Sequence, residues 1–294
     1  MKKLVSILLS VAMALTLSLP AMASGTEEPS SNSSTSDNNG EVHIVLNEYA
    51  ALKELAENSP MVLAENGLSS EEIDVIQNYQ DYYRSHVESL NELDDETLAG
   101  CGYTEDQIEI IRNFTGTESE LMAVSAEMDL YSTTALFRYE EGDFTTGRLA
   151  YNWSWSGLPV IKYNDLIAVS WNEWSVTDET SYISYYYIGN GQTDYYGRGE
   201  ATFTYPDSHE SSGAGHAFSM TMTNNNYFAK AGGGTFDIES DGAYQKNFYY
   251  WIEYDHFTVD LTPSFDVSIG GSEGSIGISV GYSCAASDRG SYHW

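Results

Sequence analysis

Two periodicities divide the chain. Ile73, Ile76, Tyr79, Tyr83, Val87 and Leu90 recur at near-helical spacing and predict one amphipathic helix of about 20 residues. From about Ser132 the period drops to two. In Leu149-Ala150-Tyr151-Asn152-Trp153-Ser154-Trp155-Ser156 every second residue is large and apolar. Residues 218–223 and 276–282 carry the same alternation, which predicts strands with one buried and one wet face. Residues 166–171 and 182–188 are apolar on both faces, as central strands are. Glu141-Gly142-Asp143, Asn190-Gly191, Asn224-Asn225-Asn226 and Asp241-Gly242 supply turns between them, and Asn-Gly suits a tight hairpin because both residues tolerate positive φ. The pattern predicts roughly ten strands without helical interruption. The expected fold class is α+β by segregation: a small helical N-terminal region followed by an all-β antiparallel sandwich or barrel.

Within the helical part, residues 59–114 contain a repeat of period 35. Ser59-Pro60 aligns with Asp94-Asp95, Leu63 with Leu98, Gly67 with Gly102, Ser69 with Thr104, Ile73 with Ile108 and Asn78 with Asn113. Each copy opens on an N-cap residue. A glycine suited to the left-handed conformation ends the short helix. Ser69-x-x-Glu72 or Thr104-x-x-Gln107 then forms a capping box that starts a longer one. Two copies are too few for a solenoid and predict a small bundle.

The first 23 residues set the compartment. Lys2 and Lys3, an apolar stretch over residues 4–19, Pro20 and Ala21-Met22-Ala23 read as a secretory signal peptide cleaved near Ser24. The apolar run is too short for a stable membrane anchor. Residues 24–40 are Ser, Thr, Asn and Glu with almost nothing apolar, and read as a disordered linker. The expected organisation is therefore signal peptide 1–23, linker 24–40, helical region 41–131 and all-β domain 132–294, in a secreted, extracellular protein.

Charge narrows the partners. The 44 acidic residues face 12 basic ones, 10 once Lys2 and Lys3 leave with the signal. Nucleic acid and anionic membranes bind through clustered Lys and Arg, so the charge argues against both. No oxygen-ligand spacing of an EF-hand is present. Two cysteines, Cys101 and Cys284, are free to pair in an oxidising compartment, which would tie the front of the chain to its end.

Chemistry is faintly marked. His43, His86, His209, His216, His256 and His293 form no metal-binding pair at helical spacing, and no Gly-x-Ser-x-Gly elbow occurs. His209 and His216 flank a Gly/Ser loop and read as solvated; Asp255-His256 reads as a hydrogen-bonded surface pair. Glu173, Glu200, Asp237, Glu253 and Asp266 lie on or beside strands, but a linear sequence brings no two of them together. No catalytic residue, metal or cofactor is assigned. The aromatics speak more clearly: all six tryptophans follow residue 150, among clustered tyrosines. Trp153 and Trp155 share the apolar face of Tyr151 and read as core. Trp174, Tyr186, Tyr249 and Trp251 are the candidate ligand-binding residues, suited to stacking on sugar rings.

The repeat, from Leu98-Ala99-Gly100-Cys101-Gly102-Tyr103-Thr104 to Asn113, with the Tyr-x-Trp-x-Trp strand at Tyr151, resembles uncharacterised secreted proteins of Gram-positive bacteria over about residues 60–175. The resemblance implies a helical repeat ahead of a Trp/Tyr-rich β domain, and brings no activity or catalytic residue. The expected function is a non-enzymatic extracellular binding or interaction protein, its partner a glycan or a surface protein. The alternative is a secreted antibacterial or membrane-acting protein that refolds residues 201–223 into an amphipathic β-hairpin.

Overall fold

Leu149, Tyr151, Trp153 and Trp155 project from the same side of one strand, and each is at most 5% exposed. The computed structural model describes residues 40–65, 68–139, 144–171, 174–189, 192–199, 202–204, 213–222, 227–240, 247–258 and 284–293; the side chain of Cys284 lies outside the described set. Residues 34–294 form one unit.

The chain order is β1 (Val42–Asn47), α1 (Glu48–Leu55), α2 (Pro60–Glu65), α3 (Ser70–Gln77), α4 (Tyr79–Leu90), α5 (Asp95–Cys101), α6 (Glu105–Arg112) and α7 (Glu118–Ala123). Then follow β2 (Glu127–Tyr139), β3 (Phe144–Ser156), β4 (Asn164–Trp171), β5 (Trp174–Gly189), β6 (Gln192–Gly199), β7 (Thr202–Thr204), β8 (Gly213–Ser219), β9 (Thr221–Met222), β10 (Tyr227–Ser240), β11 (Asn247–Thr258) and β12 (Cys284–His293). Among the described residues two antiparallel sheets result, and they do not close into a barrel. The first has the order β1-β2-β3-β10-β5-β6, with β9 added to β10, and the second the order β12-β11-β4-β8-β7. Their inner faces share a core that includes Trp153, Trp155, Phe236, Trp171, Phe248 and Tyr254.

The separation into a helical front and a β rear is not kept. β1 precedes the helices and pairs with β2, so the helices are an insertion between two neighbouring strands of one sheet. β1 alternates buried and exposed residues at Val42, Ile44 and Leu46, a strand signal the sequence reading passed over.

The helices begin and end where the caps direct. Ser69 and Glu72, Thr104 and Gln107, and also Thr117 and Glu120, each form a complete capping box. Asp94 caps α5 through the Thr97 N–H at 2.7 Å. Gly102 ends α5 in the left-handed conformation at φ 100°. Gly67 lies outside the described residues. The single long helix expected over residues 70–90 is two helices. The Asn78 side chain donates to the Asp74 carbonyl at 3.0 Å and carboxylate at 2.9 Å, drawing the backbone out of helical geometry. Asn113, aligned with Asn78 in the repeat, donates likewise to the Glu109 carbonyl at 2.9 Å and caps α6. Side-chain competition for backbone groups is why Asn stops helices.

The helical apolar cluster packs on Leu158 and Ile161 after β3 and on Phe228 at the start of β10, so the helices cap one end of the sandwich. Beneath the cap lies a buried polar joint. Glu48, the first residue of α1, accepts from Tyr83 Oη at 2.5 Å, Ile161 N at 2.7 Å and Val160 N at 2.9 Å, and meets His256 Nε2 at 3.2 Å. His256 Nδ1 sits 2.8 Å from Asp165, whose other oxygen accepts from Tyr254. Glu48, Asp165 and His256 are all fully buried. Desolvation works against the imidazolium, but the two carboxylates outweigh it and push His256 up to about 10. Burial opposes ionisation of Glu48, and the hydrogen bonds and the charge of His256 outweigh it, so its pKa lies below the ordinary value. Asp255-His256 is therefore not a surface pair: adjacent residues on a strand face opposite ways, and His256 points inward to Asp165 and Glu48.

Candidate functional site

The four aromatic residues singled out as ligand-binding do not form one site. Trp174 is 1% exposed and packs edge-on against Phe248, so it is core and cannot meet a ligand. Tyr186 lies in the first sheet, with the Lys230 ammonium 5.7 Å from its ring centroid. Trp251 is half-buried on the outer face of the second sheet, with the Arg289 guanidinium 5.3 Å from its ring centroid. Both rings spend a π-face on a cation of the same chain. Tyr249 is exposed beside Trp251. Consecutive tyrosines at 185–187 do alternate faces, but the helical end of the molecule covers one side: Tyr186 packs against the helical cluster.

The other sequence candidates fall as follows. Cys101 is a buried free thiol, so the tie to Cys284 is not made at this end. Burial pushes its thiol up to about 11. His216 is a fully buried strand residue, not a solvated loop histidine; its Nε2 lies 2.8 Å from Glu179 and its Nδ1 meets Tyr151 Oη. His209 lies outside the described residues, as do Glu173, Glu200 and Asp266. Among the described residues no group of three potential ligands is placed to hold a metal ion. β8, the later half of the supposed membrane hairpin, is buried on both faces from Gly213 to Phe218. Among the described residues no helix is long and apolar enough to cross a membrane.

One carboxylate pair does come together. Glu253 and Asp255 share a face of β11, two residues apart, with Asp255 fully buried. Burial and then the charge of Asp255 push Glu253 up to about 9, so the pair holds a proton at neutral pH. It lies on the outer side of the second sheet, above buried Leu166 and Ala168.

What the structure assembles instead is the outer face of the first sheet. Val45, Tyr131, Phe137 and Tyr182 are exposed there on β1, β2 and β5. Register aligns Tyr131 with Asn152 and His43, Asn152 with Gly233, and Gly233 with Tyr182. The His43 and Tyr131 rings are stacked 4.1 Å apart and 7° from parallel, and His43 is tied to Asp129 at 2.9 Å. The next row holds Thr133, Ala150, Thr235 and Thr180, with the last two hydroxyls 2.8 Å apart. Beyond it Arg148 makes a two-armed pair with Asp237, at 2.5 and 2.7 Å. A groove of about 590 Å³ runs over this part of the sheet, lined by Thr133, Phe137, Thr146, Arg148, Thr177 and Asp237 among others.

The sequence explains how the rings are seated on both sides of this sheet. The run Gly232-Gly233-Gly234 lies in the middle of β10. On the inner side a Cβ on Gly232 would come within 2.7 Å of the Trp153 indole, and one on Gly234 within 2.6 Å of Tyr151 Oη. The large rings of β3 therefore lie across the glycine backbone. On the outer side a Cβ on Gly233 would lie 3.0 Å from the Tyr182 ring, which covers that glycine in the same way. Aromatic rings laid on strand glycines restore packing that the missing side chain removes. The candidate face was missed because its residues come from four separate segments whose adjacency exists only in the sheet order.

No family model matches the chain, and no characterised protein sequence matches it. Among solved structures the chain is similar to the Clostridium perfringens delta-toxin, at 9% identity and a TM-score of 0.24, covering 47% of this chain and 74% of that one. It is similar to the C-terminal domain of the Streptococcus agalactiae AgI/II polypeptide BspA, at 7% identity and a TM-score of 0.29, covering 58% of each. A structure described as a pore forming protein matches at 8% identity and a TM-score of 0.23, covering 44% of this chain and 79% of that one. Likeness at these scores says nothing of what the chain binds.

Proposed function

We propose that the protein is a secreted, non-enzymatic binding protein whose contact surface is the outer face of the first sheet. The observation that carries this is the convergence of Val45, Tyr131, Phe137 and Tyr182, half of the eight exposed large hydrophobic residues noted among the described residues, on a single sheet face. Single exposed apolar residues are ordinary; four on one sheet face, spaced among threonines, Asn152 and the Arg148–Asp237 pair, make a mixed surface suited to binding. A strongly acidic, lysine-poor chain with a cleavable leader suits a soluble extracellular protein. Partner and location together favour a ligand outside the cell, either a glycan or a surface protein.

The test uses the mature chain from Ser24, immobilised and exposed to cell-surface extracts and glycan arrays. A Tyr131→Ser/Phe137→Ser/Tyr182→Ser variant is compared with a Met61→Ser/Met122→Ser control on the exposed side of the helices. Retention lost in the first and kept in the second supports the face. Equal retention by wild type and the sheet variant overturns it.

A further inference from the structure

We infer that the row Tyr131, Asn152, Gly233 and Tyr182 is a subsite for a neutral oligosaccharide. This deepens the binding-face reading and rests on it. Four observations converge on that chemistry.

The row has two aromatic platforms and a polar floor between them. Tyr131 is 46% exposed and Tyr182 39%. Three strand spacings separate their backbones, about 14 Å, and the Tyr182 ring reaches inward over Gly233, so the pair spans the scale of a short glycan. Both rings are held before any ligand arrives: Tyr131 by its stack on His43, Tyr182 by lying over Gly233. Preorganised rings cost little ordering entropy on binding.

The floor is built for hydroxyl groups. The exposed Asn152 amide offers two donors and an acceptor, and no other described residue is hydrogen-bonded to it. The neighbouring row presents the Thr133, Thr235 and Thr180 side chains. Gly233 lets the Tyr182 ring lie low over β10, next to Asn152.

The charge is neutral at the subsite and negative around it. Among the described residues of this face, the cation Arg148 is consumed by the two-armed bond to Asp237. The chain carries a formal −32. Acidic polysaccharides are repelled by that field, and among the described side chains of this face they meet no guanidinium outside an ion pair.

The position within the sheet separates a glycan from a peptide. β2, β3, β10 and β5 each have a neighbour on both sides. Their backbone groups are already paired, so no extended peptide can add as a further strand here. What remains is recognition by ring faces, an amide and hydroxyls.

The experiment is a titration of the 15N-labelled mature protein, followed at the Asn152 side-chain amide. Neutral gluco-, manno- and N-acetylglucosamine oligomers are compared with an oligogalacturonate. A saturable shift with one neutral series, weakened about tenfold by Tyr182→Ala and retained by Tyr182→Phe, supports the subsite. A shift produced by the acidic oligomer overturns it. If no neutral series moves Asn152 while the triple sheet variant still loses a captured surface protein, the carbohydrate assignment falls and the binding face stands. If that variant loses nothing, both fall.

Discussion

The joint beneath the helical cap makes the sharpest prediction. Glu48→Gln keeps the volume and removes the charge. The wild-type carboxylate serves four donors: Tyr83 Oη, Val160 N, Ile161 N and protonated His256. A glutamine oxygen accepts from about two of these, and its NH2 is forced against the rest. Each hydrogen bond to a buried charged group is worth about 1.5–3 kcal/mol, so losing two costs about 3–6 kcal/mol. Breaking a buried ion pair from one side gives a similar figure, about 3–5 kcal/mol, because His256 keeps only Asp165. The whole stability of a domain is about 5–15 kcal/mol, so the variant should be close to unfolding.

The assay is equilibrium urea denaturation of wild type and variant by far-UV circular dichroism at pH 6. At that pH both contributions are present. Glu48 has a folded pKa below its unfolded value, so its stabilisation exists above the ordinary glutamate range and is lost as pH falls through the depressed folded value. His256 is raised, so its stabilisation is complete below about 6.5 and is lost as pH rises toward and through about 10. The gap between wild type and His256→Gln should therefore narrow on the alkaline side, and the gap for Glu48→Gln on the acid side. A Glu48→Gln cost under about 1 kcal/mol would refute the joint as described.

Three further outcomes follow from the same geometry. Gly234→Ala places a Cβ 2.6 Å from both Tyr151 Oη and the Thr180 carbonyl in a central strand, and should lower the thermal midpoint by an amount equivalent to about 1–3 kcal/mol or more. Glu253 is raised to about 9, so the native state keeps a proton the unfolded chain has lost, and stability should fall as pH rises between the ordinary glutamate value and about 9; Glu253→Gln should flatten that slope in urea titrations at pH 5 and 8.5. The Cys101 thiol, raised to about 11 and buried, should resist alkylation in the native protein at pH 8 and react on denaturation, read by peptide mass mapping.

What was legible in the chain was what depends on neighbours in sequence. The period-two run at residues 149–156 placed Tyr151, Trp153 and Trp155 in the core correctly, because alternation fixes the face of each side chain. The capping boxes at Ser69 and Thr104 were readable for the same reason. β1 was missed because six residues of alternation ahead of strong helical signals are easily absorbed into the following helix. Trp174 was misplaced because a tryptophan beside a polar residue at a strand start carries no mark of its side. His256 was assigned to the surface because its partners, Glu48 and Asp165, stand 208 and 91 residues away.

The proposed binding face illustrates the deeper reason. Tyr131, Asn152, Gly233 and Tyr182 belong to β2, β3, β10 and β5, and their row exists only because β10 inserts between β3 and β5. Nothing local encodes that insertion. Yet one local feature was waiting to be read. Three successive glycines inside an alternating strand are unfavourable unless something large lies across them. Tyr151 and Trp153, on the same inward face of one neighbouring strand, and Tyr182 on the other neighbour, are the rings that do so. The glycines thus seat rings from both neighbouring strands against β10, Tyr151 and Trp153 on the inner side and Tyr182 on the outer. A variant that fills Gly233 should therefore disturb both strand packing and, by displacing the Tyr182 ring, the proposed ligand recognition, whereas one that alters Asn152 should touch recognition alone.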